Sequence, residues 1–372
     1  MNNKLKFICP CLFGLESTLN FQIKKLGGED ISVSDGRVSF YGDLNLIPKL
    51  NISLSVAERV LICLGEFSAT SFDELFENVR KLPFEDFIGA SDAFPVKGYS
   101  LNSKLHSVPD CQKIIKKAVV SKLGSKYGIS WFTENGATVQ IQFSILKDKV
   151  SIMLDTSGVG LYKRGYRENS LTAPIKETLA AGIVDLARVR ADSFVCDPFC
   201  GSGTLLIESA YKALNYSPCM NRRFSAENWS IINESVWQSA KEEAKSNINY
   251  DAKFDAFGSD IDKDAIKLTL SNADKAGVAD RIDAVQKDVK DFECDENAII
   301  ICNPPYGERL LDLTSAQKLY EIMGERFIKS NASGMYIISP DDDFEKHFGK
   351  VANRRRKLYN GMIKCQLFMY FR

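Results

Sequence analysis

The chain has 372 residues, 45% of them apolar and 26% charged, and 48 basic side chains balance 48 acidic ones to a formal net charge of zero. Such a length exceeds one ordinary domain, and the composition is globular rather than disordered. A zero balance excludes a global field for nucleic acid and leaves only local patches.

The opening stretch, MNNKLKFICPCLFGLEST, holds an apolar run broken by Pro10 and Gly14, too short for a signal peptide. Nowhere do about 18 apolar residues run together, so no membrane span is expected. Ten cysteines are scattered through apolar stretches such as FICPC and FVCDPFC, without a CxxC pair, and the two histidines, His106 and His347, lie far apart. No metal site and no disulfide framework is expected, and reduced thiols point to a cytoplasmic protein.

Residues 1–55 alternate strand-like pieces, KFICPC and ISVSDGRVSFYG, with a helical stretch from Gly14 to Leu26, which predicts a small α+β unit. Residues 56–155 continue with a predicted helix in SVAERVLICLG and a second in SFDELFENVRKL, N-capped by Ser71. A lysine-rich segment follows, then alternating strands in ATVQIQFSIL and KVSIMLDTSG, joined as a hairpin through KDK. From residue 165 onward helices separate continuous apolar runs: SFVCDP, DAFGSDID, IDAVQKDV, AIIICNPP and MYIISP. Such runs predict a mostly parallel sheet covered on both faces. Residues 210–255 read as a long, partly helical connection holding Trp229 and Trp237, and VDLARVR, 184–190, has helical apolar spacing.

In VCDPFCGSGT, 195–204, a strand ends in Asp197 and Pro198, and Gly201, Ser202, Gly203 and Thr204 turn the chain into a predicted helix. Glycines let the backbone approach a ligand, and a helix start offers free N–H groups. A dinucleotide site wants GxGxxG with an acid about 20 residues on. Here the next strand-end acid, Asp260, comes 57 residues after Gly203. The pattern fits a cofactor built from an amino acid and a nucleoside better. Asp197 would take its ammonium, Asp260, followed by Ile261, its ribose hydroxyls, and Asp288, followed by Val289, its adenine amine. These acids close successive strands, so they gather on the carboxyl edge where open α/β sheets bind ligands. A purely structural turn at 195–204 and a solvated Asp288 are the plainer explanations.

The fourth strand runs into Asn303, Pro304, Pro305 and Tyr306. An exocyclic amine on a purine is a poor nucleophile because its lone pair is delocalised into the ring. Two acceptors, the Asn303 side-chain oxygen and the Pro304 carbonyl, would take its N–H bonds and turn the lone pair toward a methyl donor. Each such bond in a water-poor site is worth on the order of 1–3 kcal/mol. Tyr306 offers a face for a flipped base, worth about 1–3 kcal/mol, and Gly307 keeps the approach open. A rigid Pro-Pro turn beside an unrelated site would also explain the tetrapeptide.

From residue 165 on, the DPxxG[ST]G loop and the [ND]PP[YFW] tetrapeptide resemble the class I S-adenosylmethionine-dependent amino-methyltransferases. More narrowly, LDTSGVGLYKRGYR with APIKETLAAGI resembles the THUMP-domain rRNA methyltransferases, chiefly the guanine-N2 enzymes of 23S rRNA and their stand-alone Gram-positive relatives. The resemblance implies an α/β fold: a Rossmann-like methyltransferase domain with a mostly parallel seven-stranded sheet over 165–372, preceded by an α+β unit. That unit divides into a ferredoxin-like domain at 1–55 and a THUMP RNA-binding domain at 56–155. It implies S-adenosyl-L-methionine as cofactor, with Asp197, Gly201, Gly203, Asp260 and Asp288 holding it and Ala173 and Pro174 closing over its methionine end. It also implies that Asn303 to Tyr306 hold the target amine. Cys200, before the glycine turn, varies in relatives. Some 23S enzymes carry a second methyltransferase domain; here the sequence stops after NGMIKCQLFMYF, so that second activity is expected to be absent.

Seven lysines and one aspartate lie between 97 and 130, with Tyr99, Tyr127 and Trp131 interleaved. A solvated helix face explains such charge on spacing alone, and the resemblance favours RNA backbone contact, with Lys113, Lys116 and Lys117 as candidates. In KRGYR, Lys163, Arg164 and Arg167 are expected to grip phosphate or stack on a base, and RRRK, 354–357, either does the same or is a solvated turn. The expected partner is RNA, chiefly 23S rRNA or a large-subunit assembly intermediate. Adenine-N6 methylation of RNA or DNA shares the same tetrapeptide geometry, and tRNA guanine-N2 methylation shares the chemistry. Glutamine-N5 protein methylation also uses such a tetrapeptide, but a basic accessory region speaks against it. Three intact strand-end acids speak against a non-enzymatic RNA scaffold.

Overall fold

The computed structural model describes residues 4–167, 174–306 and 313–371. Two seven-stranded sheets carry them, one in each half of the chain. The first contains β1 (Leu5–Pro10), β2 (Glu29–Ser34), β3 (Arg37–Gly42), β4 (Leu61–Ser68), β5 (Val96–Leu101), β6 (Gln140–Leu146) and β7 (Lys149–Asp155), in the order β2-β3-β1-β4-β7-β6-β5. Helices α1 (Glu16–Lys25), α2 (Leu46–Ser53), α3 (Phe72–Arg80) and α4 (Val108–Tyr127) accompany it.

Local chemistry accounts for several of these boundaries. Ser71 caps α3 in a reciprocal box, its hydroxyl accepting from the Glu74 N–H while Glu74 accepts from the Ser71 N–H. Lys147 and Asp148 both take positive φ, +52° and +63°, in the two-residue turn between β6 and β7. The predicted helix in SVAERVLICLG is a strand instead. β4 pairs with β1 through Phe7↔Ile62 and Ile8↔Leu61 and with β7 on its other side. Ladder partners on both edges outweigh an apolar spacing compatible with a helix. β4 thereby joins residues 1–55 and 56–155 into a single sheet.

The second sheet has the order β10-β9-β8-β11-β12-β14-β13. Its strands are β8 (Phe194–Asp197), β9 (Asp255–Asp260), β10 (Ile282–Gln286), β11 (Ile299–Cys302), β12 (Gly334–Ser339), β13 (Arg354–Asn360) and β14 (Ile363–Phe371). The first five in spatial order are parallel, and the terminal hairpin β13–β14 joins β12 antiparallel. RRRK is thus the start of β13. The helices here are α5 (Glu177–Leu186), α6 (Thr204–Ala213), α7 (Glu234–Ser246), α8 (Lys263–Ala276), α9 (Leu313–Ser330) and α10 (Phe344–Phe348). VDLARVR is helical only to Leu186; Arg188, at φ +56°, ends the run. From β8 the chain builds outward through β9 and β10, then returns to lay β11 on the other side of β8. That reversal opens a crevice at the carboxyl ends of β8 and β11.

The halves share one apolar core that contains Leu15 and Leu19 as well as Leu179 and Ile183. α1 and α5 approach closely because Gly182 has no side chain: a Cβ there would lie 2.5 Å from Leu15 Cδ1. The long connection after α6 also docks the halves, with Trp229 Nε1 donating to the Thr138 carbonyl at 3.0 Å and the Ala226 N–H to the Thr156 carbonyl at 3.0 Å. Among the described residues no helix is long and apolar enough to cross a membrane, and no group of His, Cys, Asp or Glu is arranged to hold a metal.

Candidate active site

A cavity of about 590 Å³ opens at the crevice. It is lined by Pro174, Asp197, Pro198, Gly201, Ser202, Thr204, Asp260, Ile261, Asp288, Val289 and the whole Asn303–Tyr306 tetrapeptide. Gly203 is not part of this lining; it packs against Thr269. Ala173 and Gly307 lie outside the described residues. Ile175, Phe199, Cys200, Leu205, Asp262, Lys287 and Leu319 complete the walls. Asp262 and Lys287 adjoin the strand-end acids and were legible by adjacency. Leu319 comes from α9 and has no local signal.

Each strand-end acid is held differently. Asp197 is 1% exposed, and its Oδ1 accepts from the Phe199 N–H at 3.0 Å. Burial pushes its carboxyl up to about 8, against the Phe199 hydrogen bond and with help from the nearby charge of Asp260. A cationic ligand group would reverse that shift. Asp260 accepts the Gly201 N–H on Oδ2 and the Asp262 N–H on Oδ1, both at 3.0 Å, so it pins the glycine turn to the start of α8. Asp288 accepts the Lys290 N–H at 3.0 Å and faces Lys290 Nζ at 3.4 Å; these contacts hold its carboxyl below the usual range.

The turn after β8 requires glycine. Gly201 and Gly203 have φ of +54° and +78°, and a Cβ on Gly203 would lie 2.9 Å from Thr269 Cγ2. The cradle and the first turn of α6 therefore face the cavity with backbone, as a nucleoside or an amino-acid carboxylate requires.

Across the cavity, the Tyr306 hydroxyl donates to Asn303 Oδ1 at 2.6 Å and accepts from Asn360 Nδ2 at 2.6 Å. Tyr306 is only 6% exposed. The hydroxyl contact leaves Asn303 Oδ1 a second acceptor position. Pro304 precedes Pro305, so the amide beside its carbonyl carries no N–H.

Two sequence expectations are corrected here. Arg164 does not grip phosphate or stack on a base: its side chain is 0% exposed and paired with Glu208 at 3.2 Å. Burial opposes its charge, but the Glu208 carboxylate outweighs burial and holds the guanidinium charged. Arg167 is also turned inward. It pairs with Glu177 at 2.7 Å and donates to the Ile175 carbonyl at 3.1 Å and Thr204 Oγ1 at 3.3 Å. KRGYR thus braces the first turn of α6, and of its cations only Lys163 is exposed. On α4, Lys113 and Lys117 are exposed four residues apart on one face. Lys116 is spent within the protein, on the Phe94 carbonyl at 3.1 Å and on Glu134 at 2.5 Å.

Residues 164–368 match the model of the RMKL-like methyltransferase domain. The chain belongs to the RMKL-like methyltransferase family. Residues 6–61 match the ferredoxin-like domain of RlmL and 69–155 the THUMP domain. The chain is 40% identical over 371 residues to YpsC of Bacillus subtilis (strain 168), covering 99% of this chain and 96% of that protein. It is 31% identical over 377 residues to ribosomal RNA large subunit methyltransferase K/L of Psychromonas ingrahamii (strain DSM 17664 / CCUG 51855 / 37), covering 98% of this chain and 50% of that protein. The chain therefore spans about half the length of the K/L enzyme. Among solved structures, SMU.472 complexed with SAH superimposes with a TM-score of 0.95 at 38% identity, over 100% of this chain and 99% of that one. A "predicted N6-adenine-specific DNA methylase" from Listeria monocytogenes str. 4b F2365 superimposes with a TM-score of 0.92 at 41% identity, over 99% of this chain and 96% of that one.

Proposed function

We propose that this RMKL-like methyltransferase uses S-adenosyl-L-methionine to methylate the N2 amine of a guanine in RNA, with large-subunit rRNA as the substrate and the cytoplasm as the place of reaction. The observation that carries the reading is the meeting, in one cavity, of the Asp197 turn with the Asn303–Tyr306 tetrapeptide. The buried Asp197, once ionised, is complementary to the ligand's ammonium, and the glycine cradle suits its close approach. SAH bound to a relative 38% identical along the whole chain supports the same cofactor.

When bound, the cofactor supplies an electrophilic methyl group. Asp197 would hold the ammonium, Asp260 the ribose hydroxyls and Asp288 the adenine. Asn303 Oδ1 and the Pro304 carbonyl accept the two N–H bonds of the target amine, so that its lone pair faces the methyl carbon. The amine nitrogen would take the methyl carbon of bound S-adenosyl-L-methionine, which would leave as S-adenosylhomocysteine, and the amine proton would pass to solvent. Reaching N2 requires the base to leave its stack, and the Tyr306 ring offers the surface that receives it. Lys113 and Lys117, with the THUMP unit, would take the backbone phosphates.

The same geometry serves adenine N6, and the name given to the Listeria structure favours that second reading. Labelled S-adenosylmethionine, rRNA and tRNA from a strain lacking the protein, and digestion to nucleosides separate the cases. N2-methylguanosine in large-subunit RNA is the expected product. N6-methyladenosine would replace the base, and N2-methylguanosine in tRNA alone would replace the RNA. Asn303→Ala should lower kcat by about a hundredfold or more, as loss of an acceptor aimed at the reacting group does, and leave SAH affinity within about twofold. Retained turnover would refute the two-acceptor arrangement.

A further inference from the structure

The terminal hairpin reaches the tetrapeptide with one buried side chain. Asn360 closes β13, 5% exposed, and its Nδ2 donates to the Tyr306 hydroxyl at 2.6 Å. That hydroxyl carries a single proton, and it goes to Asn303 Oδ1 at 2.6 Å. The contacts form a directed chain, Asn360 to Tyr306 to Asn303, in which each hydrogen bond polarises the next in a low-dielectric setting. Its direction matters for the reaction. With Asn360 donating, the Tyr306 proton is committed to Asn303, and the Asn303 amide must present oxygen rather than NH₂ at that end. One lone pair of Oδ1 is then occupied and the other remains for a substrate N–H.

The hairpin that supplies Asn360 is itself tied to the N-terminal half. Arg356 Nε donates to the Gly14 carbonyl at 2.7 Å and its Nη2 to Ser17 Oγ at 2.9 Å. Asn360 therefore sits four residues beyond a clamp between the two halves of the protein.

We infer that Asn360 is a positioning residue for amine methylation: by donating to the Tyr306 hydroxyl it orients that proton toward Asn303 and holds the Asn303 oxygen as an acceptor. This rests on the proposed methyl transfer to an amine.

The test compares Asn360→Ala, Asn360→Asp, Tyr306→Phe and the Asn360→Ala/Tyr306→Phe pair. The readouts are methyl transfer to large-subunit rRNA from a strain lacking the protein, SAH affinity, melting temperature with SAH, and the ¹³Cζ-tyrosine NMR spectrum. Asn360→Ala should lower kcat about tenfold, with KM and SAH affinity within about twofold. Asn360→Asp is nearly isosteric and replaces the donor by an acceptor that draws the Tyr306 proton away, so its kcat should fall further. In the Tyr306→Phe background, Asn360→Ala should cost nothing more. The Tyr306 resonance, assigned by its loss in Tyr306→Phe, should move in both Asn360 variants. Wild-type kcat in Asn360→Ala, an equal loss in both backgrounds, or a parallel fall in SAH affinity and melting temperature would each overturn the inference while the methyltransferase reading stood. A wild-type protein that methylates no RNA amine would remove that reading and this inference together.

Discussion

Cofactor binding should release a proton, and Asp197 should be its source. The free protein holds this carboxyl at about 8 because burial penalises its charge. At pH 7 it is then about 90% protonated, and at pH 6 about 99%. An ammonium group seated against it favours the carboxylate, so each binding event between pH 6 and 7 expels nearly one proton. Affinity for SAH should therefore rise about tenfold from pH 6 to pH 7, equivalent to about 1.4 kcal/mol. The rise should flatten near pH 8, where the carboxyl is half ionised. The sign is opposite for folding. An acid raised above its unfolded value costs the unliganded fold stability as pH climbs from about 4 toward 8. Calorimetry at pH 6.5 in buffers of low and high ionisation enthalpy measures the proton directly. Wild type should release about one proton and Asp197→Asn none. No release by the wild type, or the same pH slope in the variant, would refute the assignment of Asp197 to the ammonium.

Arg164→Leu should destabilise the protein by about 3–5 kcal/mol, since it strands the buried Glu208 carboxylate. It should leave RNA affinity unchanged in folded protein at low temperature, and melting and binding curves check both. Replacing Glu208 by Leu as well should recover much of the loss. Lys113→Glu with Lys117→Glu should weaken binding to an rRNA fragment at all sequences and reduce the salt slope by about one per lysine. Anisotropy titrations at several salt concentrations measure this, and an unchanged slope would move the RNA path off α4.

The site was legible where chemistry is local. Asp197, the glycine turn and the start of α6 occupy eight consecutive residues, and Asn303 to Tyr306 occupy four, so spacing alone placed them at strand ends. The alternating hairpin β6–β7 and the N-cap at Ser71 were legible for the same reason. Arg164 and Arg167 were not, because exposure depends on distant counter-charges. Glu208 lies 44 residues beyond Arg164, and only folding brings them together. β4 was misread because apolar residues at its spacing serve a helix or a strand equally, and its partners β1 and β7 decided.

By itself, then, the sequence determined that Asp197, Asp260, Asp288 and the Asn303–Tyr306 tetrapeptide end or directly follow successive strands, since turn glycines, prolines and strand-end acids act within a few residues of themselves. Only the tertiary structure decided which cations remain free for a ligand and which are consumed in buried pairs. It also decided that Asn360, 54 residues along the chain from Tyr306, donates to the Tyr306 hydroxyl. Those outcomes depend on burial and hydrogen-bond direction, and both are set by contacts between segments far apart in the chain.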